Sequence, residues 1–230
     1  MGQGLALMDC RRLLTVLAAS ALLTGCAKTE LSPMMAAVGT MAKATVGQMK
    51  ARRAQAAGAT ATPVTRADIE AYGMPILRAV IASRAADVFL TISDTKGSVQ
   101  TWTTTDGTTF SFRDGVIIQT RGLGPDLMSA DAPAVSQLLQ NGATYPRRYF
   151  FLGADDQVTR RTYECTVTVL GQETITILER DHGVTHVKED CVRPQGTVSS
   201  EYWIEGRTVR KSQQWTSGLV GVIVFERVVD

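Results

Sequence analysis

The sequence contains few of the residue types that most often carry enzyme chemistry. Its 230 residues include two histidines, four cysteines and three tryptophans, and aromatic residues make up 6%. Both histidines lie in His182-Gly183-Val184-Thr185-His186, which lacks the glutamate of a metalloprotease helix. The G-x-S-x-G segment of a hydrolase nucleophile elbow is also absent from the sequence. We therefore predict no catalytic residue, no metal and no cofactor.

Excess charge of one sign is lacking as well. The chain has 24 basic and 22 acidic residues, and removal of residues 1–25 leaves 22 and 21. Proteins that bind nucleic acid usually show a marked excess of lysine and arginine, because they must neutralise phosphates. The balance of charges therefore predicts no nucleic-acid partner.

The apolar run near the N-terminus is too short to span a bilayer. Arg11 and Arg12 precede the run 13–23, whereas a transmembrane helix needs about 20 apolar residues. A basic start, a short apolar core and small residues at the exit indicate a secretory signal peptide, residues 1–25. The exit, Leu22-Leu23-Thr24-Gly25-Cys26, resembles a bacterial lipobox.

The lipobox predicts that Cys26 carries a lipid, becomes the mature N-terminus and attaches the protein to a membrane. Ala27 follows it, and its resemblance to sorted lipoproteins, which lack an acidic residue here, implies the outer membrane, facing the periplasm. The alternative is an ordinary signal peptide followed by a chance cysteine.

Two cysteines then remain in the mature domain, Cys165 and Cys191. An oxidising compartment favours a disulfide between them. His182 and His186 lie between them in sequence, so a tetrahedral zinc site is the alternative.

Three regions are predicted: the signal peptide, an anchored helix with its linker at 26–63, and a β domain at 64–230. The helix spans 33–57, where Met34, Val38, Met41 and Met49 recur at helical spacing. This stripe packs on its own domain or receives a partner.

Alternating sequence beyond residue 69 predicts an antiparallel β-barrel or barrel-like sandwich. A short inserted helix over 132–139 is expected within the interruption 125–142, with Asp131 as N-cap and Pro133 in its first turn. The predicted strands are 76–82, 86–93, 98–104, 108–113, 115–121, one starting at Tyr149, 162–170, 173–180, 184–192, 197–205, 207–215 and 219–228.

Two groups of residues are candidates for contact with a glycan. Trp102, Trp203 and Trp215 fall on predicted strands, where their rings either stack on sugars or fill the core. The second group is a loop that either bends the chain or presents polar groups to a glycan or a partner protein; it comprises Arg121, Gly122, Leu123, Gly124 and Asp126.

The segment FRDGVIIQTRGLGPDLMSAD, residues 112–131, contains this loop. Together with segments 98–103, 202–204 and 211–215, it resembles the YjbF/GfcB family of group 4 capsule and exopolysaccharide lipoproteins. The resemblance implies a periplasm-facing antiparallel barrel associated with polysaccharide secretion, and it transfers no catalytic residue.

Three functions remain open from the sequence. The first is a non-enzymatic lipoprotein that assists assembly or export of a surface polysaccharide, with export proteins or the polymer as partners. The second is a hydrolase or esterase acting on that polymer, and the third is a β-domain that handles lipids or lipoproteins.

Overall fold

The computed structural model describes residues 64–153 and 157–230. The predicted signal peptide, the lipidation site Cys26 and the helix over 33–57 lie outside these ranges. No helix within them is long and apolar enough to cross a membrane.

Twelve strands and two short α-helices make up the described part of the chain. The helices are α1 (Arg66–Glu70) and α2 (Val135–Leu138), and a 3-10 turn covers Ala82–Arg84. The strands are β1 (Ile76–Ile81), β2 (Ala86–Lys96), β3 (Val99–Thr103), β4 (Thr109–Arg113), β5 (Val116–Arg121), β6 (Leu127–Ala130), β7 (Thr144–Leu152), β8 (Val158–Ile177), β9 (Arg180–Arg193), β10 (Gly196–Glu205), β11 (Thr208–Ser217) and β12 (Gly221–Val229).

All twelve strands form one antiparallel sheet in the order β5-β4-β3-β2-β1-β12-β11-β10-β9-β8-β7-β6. Every consecutive pair of strands is hydrogen-bonded except β5 and β6, which are the two edges of the sheet, and β1 pairs with β12. The sheet thus curls into a nearly closed barrel, and the prediction of a mainly antiparallel β fold is confirmed. We call the junction between β5 and β6 the seam.

Two aromatic groups dominate the core. In the first, Phe225 of β12 meets Phe110 and Phe112 of β4 edge-on, with ring centroids 5.4 and 4.9 Å apart. In the second, Trp215 of β11 meets Tyr149 of β7 edge-on at 5.2 Å. Edge-to-face pairs add to the stabilisation that burial of such large rings already provides. The second group also contains Cys165 and Cys191.

A smaller cluster lies where α1 meets the end of the β8–β9 hairpin. Ile69 of α1 packs with Ile76, Ile177 and Val228. Arg66 of α1 donates hydrogen bonds to the carbonyl oxygens of Ile177 and Leu178 at 3.0 and 2.8 Å. Helix α1 is therefore fixed to this hairpin by both apolar and polar contacts.

Strand β8 differs from the prediction, because the two strands expected at 162–170 and 173–180 are one. Gly171 sits at φ +143°, and the pairing with β9 shifts register between Val169 and Gly171. The glycine makes a bulge that lets the strand continue, where a turn was predicted. On this strand Tyr163, Cys165 and Val167 are buried, as its alternation predicts.

The segment 125–142 also differs. It contains β6, which was not predicted, and α2 is limited to Val135–Leu138. Ala134, not Asp131, is the N-cap, and its amide donates to Gln137 Oε1 at 3.0 Å. The Asp131 carboxylate instead accepts hydrogen bonds from Arg148 at 2.7 and 3.1 Å, because residue 131 ends the extended segment beside β7.

Candidate functional site

The predicted loop joins the two edges of the barrel. The Asp126 carboxylate accepts hydrogen bonds from the amide groups of Gly122 and Leu123, at 2.9 and 3.0 Å, and from the Thr120 hydroxyl at 3.0 Å. A carboxylate that accepts several such bonds fixes a tight loop. Asp126 therefore holds the connection between β5 and β6 in one conformation.

Side chains also connect the two edge strands across the seam. Thr120 Oγ1 of β5 accepts a hydrogen bond from the Leu127 amide of β6 at 3.0 Å. Arg121 Nη1 donates to the carbonyl oxygens of Thr120 and Leu127 at 2.8 and 3.4 Å. These bonds satisfy backbone groups for which no strand ladder is available at this junction.

The glycines and the leucine of the loop have structural tasks. Gly122 and Gly124 lie at φ +90° and +83°, a region that residues with a Cβ rarely adopt. Leu123 is 2% exposed and belongs to the first core cluster. The geometry thus gives the loop a structural role, whereas its contact with a glycan or a partner stays a prediction.

Side chains of β7 and β11 form hydrogen bonds with backbone groups at the start of β5, on the side where no strand pairs with it. The Ile117 amide donates to Gln214 Oε1 of β11 at 2.8 Å, and Gln214 Nε2 donates to the Gly115 carbonyl oxygen at 2.9 Å. Arg147 Nη2 of β7 donates to the Ile117 carbonyl oxygen at 3.5 Å. Strand β5 is thereby held without a neighbouring strand on that side.

Arg147 belongs to a buried polar network. Its Nη1 donates to Glu189 Oε2 of β9 at 2.5 Å, and the two side chains are 1% and 0% exposed. The hydroxyl groups of Tyr145 and Tyr202 donate to the same carboxylate at 2.7 and 3.1 Å. Burial of both charges is costly and is tolerated only when the remaining polar atoms are also satisfied, which this network achieves.

The charge states of the network follow from its geometry. Burial by itself lowers the pKa of Arg147, but the Glu189 carboxylate together with Tyr149 and Tyr202 outweighs it and holds that pKa well above its ordinary value. Burial, reinforced by the Glu189 charge, raises the pKa of Tyr202 and Tyr145. The network is thus an arginine–carboxylate pair with two protonated tyrosines.

A pocket of about 310 Å³ lies directly beside this network. Arg113 and Gln137 line it without any carboxylate partner, whereas its single acidic residue, Asp131, is bound by Arg148 at 2.7 Å. We call it the network pocket, and its lining residues are Arg113, Asp131, Ala132, Pro133, Gln137, Tyr145, Pro146, Arg147 and Arg148.

A second pocket, of about 280 Å³, opens on the other side of the β4–β5 turn. We call it the Arg227 pocket. Arg227 Nη2 donates to Gln100 Oε1 at 3.2 Å, and its guanidinium lies 5.5 Å from the centroid of the Trp102 ring. The pocket is lined by Gly97, Ser98, Gln100, Asp114, Gly115, Arg207, Thr208, Val209, Arg227 and Asp230.

The three tryptophans are buried. Trp102, Trp203 and Trp215 are 1%, 7% and 9% exposed, so none of them presents an open ring face to a sugar. The prediction that these rings face a glycan is therefore wrong, and the alternative that they fill the core is the one observed. Trp102 instead supports the guanidinium of Arg227.

Cys165 and Cys191 form the predicted disulfide. They are directly paired residues of β8 and β9, and their Cα atoms are 3.9 Å apart. Both thiols are consumed by this bond, and the two histidines contact carboxylates elsewhere. His182 lies 3.2 Å from Glu205, and His186 lies 3.0 Å from Glu201. These four residues therefore do not form the zinc site that was the alternative.

The comparisons with known proteins agree with this architecture. The model of the family described as group 4 capsule polysaccharide lipoprotein gfcB, YjbF matches residues 40–228. The chain belongs to the YjbF family. The family is one of capsule polysaccharide lipoproteins, which places the protein in the cell envelope and in capsule- or exopolysaccharide-related function.

A crystal structure with the same fold is that of the hypothetical lipoprotein YmcC from Escherichia coli (K12). The YjbF-family barrel described here superposes on it with a TM-score of 0.65 at 17% identity, covering 73% of this chain and 89% of that one. A search of the curated proteins gives no match.

Sequence reasoning missed Arg147, Glu189 and Arg227, which the YjbF-family barrel places in or beside its two pockets. A signal was present for two of them. Glu189 lies two residues from the buried Val187 and Cys191, and Arg227 lies two residues from the buried Phe225. A charge on the apolar face of a strand indicates a buried or partly buried polar site.

Proposed function

We propose that this YjbF-family protein is an outer-membrane lipoprotein, anchored through Cys26 and facing the periplasm. It assists the assembly or export of a capsule or exopolysaccharide without catalysing a reaction on the polymer. The observation that carries this proposal is the family match over residues 40–228.

Two carboxylates that line the pockets are held by arginine side chains, which supports a binding role for the pockets over a catalytic one. Asp131 is held by Arg148, and Asp230 is held by Arg210 at 2.6 and 2.8 Å. Arginine clamps of this kind hold a carboxylate oriented toward the clamp. Asp131 and Asp230 thus hold arginine side chains in place, which is a structural task and not a catalytic one.

The packing of the interior favours this proposal over lipid handling. A lipid carrier requires a large dry cavity, but Phe110, Phe112 and Phe225 fill the first core cluster. The other half of the barrel contains Trp215, Tyr149 and the charged Arg147–Glu189 pair. An acyl chain would have to displace these packed groups.

Gene deletion with complementation tests the role in export. We expect the deletion to lower the amount of polysaccharide at the cell surface and in the medium, and the wild-type gene to restore it. Normal polymer levels in the deletion strain would contradict the proposal. Incubation of the purified lipoprotein with the purified polymer should release no new reducing ends, and release of them would establish the enzyme alternative.

The anchor is tested by Cys26→Ser. A covalent lipid is needed for stable attachment, and several acyl chains hold far better than one. We expect the variant to leave the outer-membrane fraction and to restore less polymer export than the wild type. A Ser variant that stays fully in the outer membrane would contradict the anchor at Cys26.

A further inference from the structure

The two pockets carry an excess of arginines that have no ion pair. Among the described residues, the salt bridges use Arg147, Arg148 and Arg210 around the pockets. The other pocket arginines, Arg113, Arg207 and Arg227, form none. One lining carboxylate, Asp114, is likewise without an ion pair. Arg210 is shared between Asp230 and Glu205, so the pockets and the groups paired with them carry a net excess of one positive charge.

Arg227 is the most constrained of these cations. It is partly buried, its Nε is shielded from solvent and has no hydrogen-bond partner, and its Nη2 contacts Gln100. Burial lowers the pKa of Arg227, which Asp230 offsets only in part. A guanidinium that is withdrawn from water without a direct ion pair is incompletely compensated, so an anion bound in the pocket would relieve this cost.

Trp102 and Gln100 position Arg227 before any ligand arrives. The guanidinium lies over the buried Trp102 ring, and Gln100 fixes one of its terminal nitrogens. A planar guanidinium held in this way binds a carboxylate or phosphate with little loss of side-chain entropy. Arg207 adds a second, exposed cation to the same pocket.

The two pockets flank the β4–β5 turn. Arg113 lines the network pocket, and the next residue, Asp114, lines the Arg227 pocket. Their volumes, about 310 and 280 Å³, lie near the lower end of the usual range for small-molecule sites. Each is thus suited to a short segment of a chain ligand that passes the β4–β5 turn.

We propose that the network pocket and the Arg227 pocket together bind an acidic polysaccharide, whose negatively charged sugar units contact Arg113, Arg207 and Arg227. This inference rests on the proposed role in polysaccharide assembly or export and names the class of polymer. The sugar hydroxyl groups meet the polar side chains that line the pockets, Gln137 in one and Ser98 and Thr208 in the other.

The test is calorimetric titration of the full lipoprotein in detergent with hexagalacturonate, a uronic-acid oligosaccharide. Maltohexaose is the neutral control, and polyglutamate of similar charge is the control for charge without sugar. We expect binding of hexagalacturonate, weakened by salt, and at least tenfold weaker binding of both controls. No binding of hexagalacturonate, or equal binding of either control, would overturn the proposal.

Variants locate the site. Arg227→Gln should weaken binding at least tenfold, and Arg113→Gln and Arg207→Gln should each weaken it severalfold. Arg160→Gln is the matched control, because Arg160 is exposed on β8 and lines neither pocket. Arg227→Lys, which keeps the charge and loses the planar group, should bind more weakly than wild type and more tightly than Arg227→Gln.

Failure of this inference is distinguishable from failure of the proposed function. Circular dichroism and thermal unfolding identify variants that do not fold, and the exposed Arg207→Gln keeps the test decisive if Arg227→Gln is one of them. Unchanged binding by Arg207→Gln, or an equal loss with Arg160→Gln, would overturn the site. If deletion of the gene lowers export while the wild-type protein binds no hexagalacturonate, this inference alone fails.

Discussion

Arg147 and Glu189 form an ion pair of 2.5 Å in which both side chains are almost completely buried. The arginine comes from β7 and the glutamate from β9, and β8 lies between these strands in the sheet. Arg147 also reaches the carbonyl oxygens of Asp131 and Ile117, at 3.0 and 3.5 Å. One side chain thereby links β7, β9, the end of β6 and the edge strand β5.

Removal of one partner of this pair should strongly destabilise the barrel. Glu189→Leu leaves the buried Arg147 charge without compensation, and such losses cost about 3–5 kcal/mol. The double variant Arg147→Met/Glu189→Leu removes both charges and should recover a large part of that loss. Urea unfolding of wild type, both single variants and the double variant measures the coupling. Additive effects of the two substitutions would show that the residues do not act as a pair.

Much of the fold was predictable where a strand alternates between a buried and an exposed face. On β8 the buried Tyr163, Cys165 and Val167 alternate with exposed residues, and this pattern is local in sequence. Strand β6 was missed because it is four residues long and lies at an edge. The sequence also did not show that two predicted strands form one continuous strand, because Gly171 between them is compatible with either a turn or a bulge.

The site was much less predictable than the fold. The disulfide was predicted because the compartment and the number of cysteines left one pairing. The pockets were not, because the residues that line each of them lie far apart in sequence and are brought together only by the fold, such as Arg113 and Arg147 in one and Gln100 and Arg227 in the other. The orientation of the tryptophans was ambiguous. A ring on a strand faces inward or outward according to the register of that strand, and the register cannot be read from Trp102 or Trp203 alone.

Loss of the disulfide should reduce stability by about 3 kcal/mol, since it closes a loop of 26 residues in the chain-entropy model. The suitable variant is Cys165→Ala/Cys191→Ala, because both sulfurs lie in an apolar cluster and a polar replacement would add a second effect. Urea unfolding should give the same loss for this variant as for wild type under reducing conditions. Equal stability of the oxidised wild type and the double variant would contradict the prediction.

Acid should remove the stabilisation that Asp87 provides. Arg78 Nε and Nη2 donate to its two carboxylate oxygens at 2.8 and 2.7 Å, and these bonds lower the pKa of Asp87. A lowered pKa in the folded state means that the contribution is present above about pH 4, the unfolded pKa, and is lost as pH falls through the folded value.

The matching measurement compares wild type with Asp87→Asn from pH 7 to pH 2.5. Because both side chains are partly exposed, 37% for Arg78 and 52% for Asp87, we expect a difference of less than about 1 kcal/mol at pH 7. It should shrink as pH falls, since asparagine resembles the protonated carboxyl group. A difference that is constant across this range would exclude the ion pair as its cause.

Arg121→Ala distinguishes the two interpretations of the seam loop. Arg121 donates to two backbone carbonyl groups from a partly exposed position, so its loss should cost no more than about 1 kcal/mol. If the loop contacts a glycan or a partner, this variant stays folded yet exports less polymer in the complementation assay. Unchanged export would leave the loop with its structural role alone.

Gly122 and Gly124 of the same loop should respond differently to alanine. Both have positive φ, so either substitution strains the backbone by about 1 kcal/mol. A Cβ at Gly122 would also lie 3.1 Å from Thr108 Oγ1 and 3.2 Å from Thr108 Cα, whereas one at Gly124 meets nothing within 4 Å.

Thr108 is buried and has little room to move, so Gly122→Ala should be more destabilising than Gly124→Ala by about 1–2 kcal/mol. Urea unfolding of the two variants measures this difference directly, and each serves as the control for the other. Equal losses would mean that the strain at positive φ dominates and that the contact between Gly122 and Thr108 relaxes. A larger loss for Gly122→Ala would show that close packing of the β5–β6 connection against Thr108 helps to close the barrel.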